Sequence, residues 1–222
     1  MRIAILGGTG DIGEGLALRW ARDTDHEIVI GSRDAERGRD RAADYEAALA
    51  ERGVERAVEG GANPDAAEGA DAVVLAVPPH YVADTVEAVA DRLPTDAVLV
   101  SPAVGIGSDE AGLHYNPPPA GSVTAYAAEA APEDTPVVGA FHNLAAGRLA
   151  DLDEEFEMDT LLVGDDEDAV ARVATLAESI EGLRALRAGG IANAPEVESL
   201  TPLLVNLARE NEGLHDVGVR FF

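Results

Sequence analysis

Apolar residues in this chain recur as short unbroken runs, separated by stretches with helical spacing. Arg2-Ile-Ala-Ile-Leu6 reads as a buried strand, and Glu14 to Ala21 has the apolar spacing of a helix. Glu27-Ile-Val-Ile30 reads as a second strand. The charged, alanine-rich stretch Asp34 to Arg52 reads as a helix that stops at Gly53. Val54 to Val58 predicts a short third strand. Asn63-Pro64-Asp65 opens a short helix, with Asn63 as N-cap and Pro64 at the first position. Asp71 to Val77 and Ala97 to Val100 are buried strands on either side of a helix from Pro78 to Leu93. Ser108 to Gly121 carries three consecutive prolines, Pro117 to Pro119, and reads as a loop that could act as a lid or a partner surface.

The second half is patterned in the same way. It reads as a helix from Ser122 to Ala131, a strand from Thr135 to Phe141 and a strand from Thr160 to Val163. A helix from Glu167 to Ile180 and a strand from Gly182 to Leu186 follow. Glu196 to Glu212 is apolar and helical, with Thr201-Pro202 marking a kink or a fresh start. Val217 to Phe222 reads as a final strand. Strands and helices alternate with short turns, which predicts an α/β fold. The expected form is a Rossmann-type doubly wound parallel sheet over residues 1–150, with a small C-terminal α/β annex over 151–222.

The turn after the first strand adds chemistry to this outline. Gly8-x-Gly10-x-x-Gly13 follows a strand and opens a helix, the context in which this spacing binds a dinucleotide. Gly8 is expected to make the tight turn, Gly10 to let a pyrophosphate approach, and Gly13 to let helix and strand pack closely. The helix N-terminus offers free N–H groups and partial positive charge to the phosphates. An NAD site places an acid at the end of the second strand to hold a ribose hydroxyl. This chain has Ser32-Arg33 there, with Arg37 one helical turn on. An arginine fork suits a 2′-phosphate, so the expected cofactor is NADP. The alternative is that Arg33 and Arg37 only pair with neighbouring acids such as Asp34 and Glu36.

Composition narrows the classes. With 222 residues, 46% of them hydrophobic, the chain can form a substantial core. It has no cysteine, which excludes disulfides and thiolate metal sites. No apolar segment is long enough to span a membrane. The first strand begins at residue 2, so no signal peptide and a cytoplasmic location are expected. Asp and Glu number 42 against 16 basic residues, all arginine, for a formal net charge of -26. Such a charge repels nucleic acid and anionic membranes. It suits a salt-adapted surface, because at molar salt the Debye length falls to about 3 Å. A halophilic source is expected.

Longer stretches carry a family resemblance. The chain resembles the F-420-dependent NADP reductases of archaea and some bacteria along essentially its whole length. The resemblance rests on MRIAILGGTGDIGEGLALRWA, HEIVIGSR, VLVSPAVGIG, AFHNLAAGRLADLDEEFEMD, VGDDEDA, IEGLRAL, VESLTPLLVNLAREN and the terminal VGVRFF. It implies a cytoplasmic homodimer that passes a hydride directly between NADP(H) and the 5-deazaflavin coenzyme F-420. It implies that the C-terminal domain forms the deazaflavin cleft and contributes to the dimer interface. By the same resemblance, Thr9, Gly10, Asp11 and Ile12 contact the NADP phosphates, and Ser32, Arg33 and Arg37 grip the 2′-phosphate. Val77 and Val104 line the nicotinamide nucleotide, Ala146 lies near the nicotinamide, and Val217 touches the deazaflavin. Tyr81 and Ile106 lie in the same loops. The sequence departs from other members at Asn143 and Ala145, where Thr and Pro are common, and at Arg37, where Lys is common.

Such a transfer asks little of side chains, because the cofactors carry the chemistry. The protein must hold the two reacting carbons about 3–3.5 Å apart and exclude water. The small residues Gly105, Gly107, Ala145 and Ala146 suit that role and equally suit ordinary turns. His142 ends a strand and reads either as a contact of the rings or as a packed histidine. Asn206 and Arg209 could face the cleft from the last helix, which is equally readable as a dimer face. The remaining histidines make no metal spacing, and the acid pairs read as a solvated surface. Two other readings stay open at this point. One is a different NADP reductase on the same fold, of the pyrroline-carboxylate or β-hydroxyacid type. The other is a non-catalytic NADP sensor.

Overall fold

The computed structural model describes residues 1–8 and 10–222. The Rossmann half runs β1 (Arg2–Leu6), α1 (Asp11–Asp23), β2 (Glu27–Ser32), α2 (Ala35–Ala50), β3 (Val58–Ala62), α3 (Asn63–Ala67), β4 (Ala72–Leu75), α4 (Val82–Val89) and β5 (Val98–Ser101). A hairpin of β6 (Ile106–Asp109) and β7 (Gly112–Tyr115) interrupts it, followed by α5 (Val123–Ala130) and β8 (Val137–Gly139). Then come α6 (Ala146–Ala150), β9 (Met158–Gly164), α7 (Glu167–Glu178), β10 (Leu183–Arg187), α8 (Ala194–Glu198) and α9 (Leu200–Glu210).

Eight strands form one sheet in the order β10-β9-β8-β5-β4-β1-β2-β3. From β3 to β8 the neighbours are parallel, and the order in which the chain adds strands reverses between β1 and β4. This is the expected doubly wound Rossmann-type topology. Segment 151–222 adds β9 antiparallel to β8 and β10 parallel to β9, so it extends the same sheet.

Burial on both faces explains the unbroken apolar runs. In β1, Ile3 and Ile5 face a core with Leu16 and Trp20 of α1, and with Leu176 of α7 at its far end. Ala4 and Leu6 face the opposite core, with Ala66 of α3 and Val82 and Val86 of α4. An indole N–H···O bond of 3.0 Å, from Trp20 to the Leu176 carbonyl, links α1 to α7.

Several elements differ from the sequence pattern. The third strand starts at Val58, where the expected one ends, and runs through Gly60 and Gly61. Backbone contact selects it: a Cβ at Gly38, Gly60 or both would overlap main-chain atoms of the α2–β3 contact. The cap of α3 is Ala62, not Asn63, and no side chain caps that helix. Half of the expected loop 108–121 is hairpin, closed at its base by a bond of 2.9 Å from Asn116 N to the Gly105 carbonyl. The last helix is two, broken at Ser199. Val217 to Phe222 forms no strand: it meets β9 by one backbone bond, Asp159 N to the Val219 carbonyl at 2.9 Å, and Phe221 N goes to a side chain, Asp159 Oδ2, at 2.6 Å.

Candidate functional site

The first cavity, of about 470 Å³, opens at the carboxyl ends of β1, β2 and β4. Gly10 lies on its wall and caps α1 without a side-chain bond, which leaves first-turn N–H groups available to an anion. The left-handed angle of the glycine turn falls on Gly7 (φ 72°) rather than on Gly8. A Cβ at Gly7 would meet Val77 Cγ1 at 2.5 Å. Gly8 and Gly13 are packing positions: a Cβ on Gly13 would lie 2.7 Å from Gly8 Cα. The Gly8 carbonyl accepts from Tyr45 Oη at 2.5 Å, and burial pushes the Tyr45 hydroxyl far above its ordinary value, so it stays a donor.

Ser32, Arg33 and Arg37 line the same cavity, facing Val77 and Tyr81. Among the described residues neither arginine is in an ion pair, although others are, as Arg2 is with Glu27 and Glu59. Asp34 is occupied as the cap of α2, accepting from Glu36 N at 2.9 Å. The Arg33 guanidinium stands 4.8 Å from the centroid of the Tyr81 ring, a cation–π stack that orients it at the cavity wall. Both guanidinium groups, Arg33 after β2 and Arg37 in the first turns of α2, are exposed on an otherwise acidic molecule. Asn63, not foreseen as a site residue, also lines this cavity.

A second cavity, of about 440 Å³, is lined by Asp11, next to Gly10, so both cavities border the start of α1. One wall is the loop His142 to Gly147. The other is α9, which presents Thr201, Leu204, Val205 and Ala208, the i, i+3, i+4, i+7 stripe of one helical face. Asp216 and Val217 close the end. Two non-glycine residues among those described have positive φ: Asp216 (φ 47°) in the wall, and Phe141 (φ 67°), buried just before the loop. Such strain gathers where surrounding structure holds a site in shape.

The His142 ring is fully buried, and burial lowers its pKa to about 3, so it is neutral at physiological pH. Its Nε2 lies 3.4 Å from Thr124 Oγ1, and its backbone carbonyl accepts from Thr201 Oγ1 at 2.7 Å. It packs behind the cavity and is not an acid facing it. Behind it lies a group that no motif announced. Glu198, wholly buried, accepts from Tyr115 Oη, Val123 N, Thr124 N and Thr124 Oγ1 at 2.9–3.0 Å. It joins the hairpin, α5 and α8.

The other expected site residues fall elsewhere. Ile106 lines a third cavity with His80, Gly105 and Pro117 to Pro119. His80 of that cavity and Tyr81 of the first are neighbours, their rings 4.1 Å apart and tilted by 48°. Ile12 packs half-buried against the core, and Val104 is half-buried and lines none of the three cavities. Ala146 and Val217 meet in the second cavity. Thr9 lies outside the described residues. Asn206 faces the hairpin and not the cleft, bonding Leu113 N at 3.0 Å and the Leu113 carbonyl at 2.8 Å. Arg209 does not line the second cavity.

Comparison with known proteins agrees with this arrangement. The family model described as "NADP oxidoreductase coenzyme F420-dependent" matches residues 2–105. A protein of Methanothermobacter thermautotrophicus named F420-dependent NADP reductase is 41% identical, covering 99% of this chain and 94% of its own. One of the same name from Methanocaldococcus jannaschii is 39% identical over 93% of this chain and 92% of its own. The solved structure of a candidate F420-dependent NADP-reductase from Arthrobacter sp. FB24 superposes with a TM-score of 0.77 at 28% identity, covering 95% and 94% of the two chains. A pyrroline-5-carboxylate reductase structure from Coxiella burnetii shares the fold alone, with a TM-score of 0.62 at 16% identity, covering 97% of this chain and 72% of its own. With two near-full-length relatives at about two-fifths identity, the chain belongs to the family of F-420-dependent NADP reductases.

Proposed function

We propose that the protein transfers a hydride directly between NADP(H) and the 5-deazaflavin coenzyme F-420. The observation that carries this reading is that two cavities border the start of α1, with Gly10 lining one and Asp11 the other. The first cavity fits a 2′-phosphorylated dinucleotide: an open helix N-terminus and two arginines that make no ion pair among the described residues. The second fits a flat ring system, with the small residues Ala145, Ala146 and Gly147 facing the apolar stripe of α9.

When bound, nicotinamide and deazaflavin supply the hydride chemistry themselves. The chain's part is to bind and orient. Arg33 and Arg37 hold the phosphorylated end, the first turn of α1 holds the pyrophosphate, and Val77 flanks the nicotinamide nucleotide. Ala146 and Val217 shape the deazaflavin cleft, completed by residues 151–222. Leu204 and Val205 help exclude water. A neutral, buried His142 leaves the positioning of the rings, rather than proton transfer, as the source of rate.

The same reading covers assembly and setting. Leu203 and Leu207 stand exposed on the outer face of α9, with Leu214, Phe221 and Phe222 also exposed nearby in sequence, which supports a homodimer through this end. The acidic, lysine-free surface supports a halophilic, archaeal, cytoplasmic enzyme. The test is turnover in molar salt, with reduced F-420 offered NADP or NAD and deazaflavin absorbance followed. Recovery with NADP, far exceeding that with NAD, is expected. NADP binding without turnover would favour the sensor reading.

A further inference from the structure

Arg33 and Tyr81 come to the first cavity from different strands. Arg33 directly follows β2 and Tyr81 ends the turn after β4, and these strands flank β1 in the sheet. The two residues differ in stiffness. Pro78 and Pro79 fix the backbone ahead of Tyr81, and one 3₁₀ turn closes with a bond of 2.9 Å from Tyr81 N to the Pro78 carbonyl. The ring therefore stands on a rigid base at the start of α4. Arg33 carries a long stem whose rotamers must be ordered before the guanidinium can bond a phosphate, and that ordering costs affinity. Asp34, the next acid along the chain, does not order it, because its carboxylate caps α2 and accepts from Glu36 N and Arg37 N. The contact that does meet the guanidinium is the Tyr81 ring, 4.8 Å from Cζ to the centroid. Arg37 has no such ring partner among the described residues.

We propose that Tyr81 is a positioning residue for cofactor preference: its ring holds the Arg33 guanidinium at the cavity wall, ready for the 2′-phosphate that NADP has and NAD lacks. The inference deepens the reading of this cavity as the NADP site and rests on it. Tyr81 acts through Arg33, and its contribution appears only when there is a 2′-phosphate to grip. At 4.8 Å the ring and the guanidinium are in contact, with no room for a base between them. The face of the ring makes the contact, so the hydroxyl has no part in it. A cation–π pair at an exposed site of this kind shifts an equilibrium by about two- to fivefold.

Calorimetric titration of the full chain with NADP and with NAD, in molar salt, tests this. Tyr81 is 37% exposed, so Tyr81→Leu should fold, and its melting temperature checks that. It should weaken NADP about two- to fivefold and leave NAD unchanged. Tyr81→Phe keeps the ring and should keep the native ratio of the two affinities. In an Arg33→Ala background, Tyr81→Leu should cause no further loss of NADP. Equal loss of both cofactors in Tyr81→Leu would overturn the proposal, because it would assign the ring to the adenine or to the fold at large. So would an unchanged ratio in Tyr81→Leu, a Tyr81→Phe loss as large as that of Tyr81→Leu, or a further loss in the Arg33→Ala background. Arg33→Ala alone separates the two failures. If it weakens both cofactors equally, the reading of the cavity fails; if it weakens NADP selectively while Tyr81→Leu keeps the native ratio, only the role of Tyr81 fails.

Discussion

Glu198→Ala should be the most destabilising single substitution outside the apolar core. The carboxylate is wholly buried and holds four donors, from Tyr115, Val123 and Thr124, at 2.9–3.0 Å. Two of these are backbone N–H groups that can only donate, at the first turn of α5. Burial pushes the Glu198 carboxyl above the usual carboxylate range, and the four donors pull against that. Alanine would leave the Val123 and Thr124 N–H groups buried without an acceptor, while Tyr115 Oη keeps the Gly121 carbonyl at 3.1 Å and Thr124 Oγ1 keeps His142 Nε2 at 3.4 Å. Each such loss costs about 1–3 kcal/mol alone, but losses around one group do not add, and breaking a buried charged network costs about 3–5 kcal/mol. For a chain of this length each kcal/mol moves the melting temperature by about 2–4 °C, so a fall of roughly 6–20 °C is expected. Glu198→Gln should recover little, because its NH₂ group must face one pair of donors. The assay is thermal unfolding by circular dichroism in molar salt, at fixed cofactor concentration. A Glu198→Ala protein melting within about 2 °C of the native one would refute the reasoning.

Three further outcomes follow from the same structure. Arg33→Ala should weaken NADP binding by about 1.5–3 kcal/mol, the scale of a charge-assisted bond, and leave NAD nearly unchanged; equal loss for both would remove the 2′-phosphate assignment. Asp159→Asn weakens the pairing of Arg184 with Asp159 (2.6 and 2.8 Å) and the grip on Phe221 N, so the tail that carries Val217 should loosen. The KM for F-420 should rise several-fold while NADP affinity, read by calorimetry, stays the same. His142 is held neutral with a pKa near 3 against 6.5 when unfolded, so the unfolded chain binds the extra proton. Its contribution makes stability fall as pH drops from about 6.5 towards 3, by at most about 1.4 kcal/mol per unit, and His142→Asn should flatten that slope in denaturant titrations.

Much of the sheet could be read from its sequence because parallel strands buried on both faces make unbroken apolar runs, as β1, β4 and β5 do. The glycine turn and the Ser32-Arg33 strand end were legible for a similar reason: their chemistry needs particular residue types at fixed spacing. What escaped reading was set by tertiary contact. β3 runs through Gly60 and Gly61 because α2 lies directly on it at Gly38, a fact with no local pattern. Asn63-Pro64 looks like a helix start, so its asparagine was assigned to capping rather than to the cavity. Glu198 is one acid among 42 Asp and Glu residues, and only its buried neighbours single it out. The tail 217–222 has strand-like residues, yet it meets β9 by one backbone bond and its Phe221 N goes to the Asp159 side chain.

The central claim is that two cavities hold two cofactors close enough for a hydride to pass directly between them. The most direct measurement uses reduced F-420 carrying two deuterium atoms at C5, incubated with NADP in ordinary water and molar salt, with the NADPH analysed by mass spectrometry and NMR. The account predicts deuterium at the nicotinamide C4, on one face only. NADPH carrying hydrogen from water at that position would contradict it.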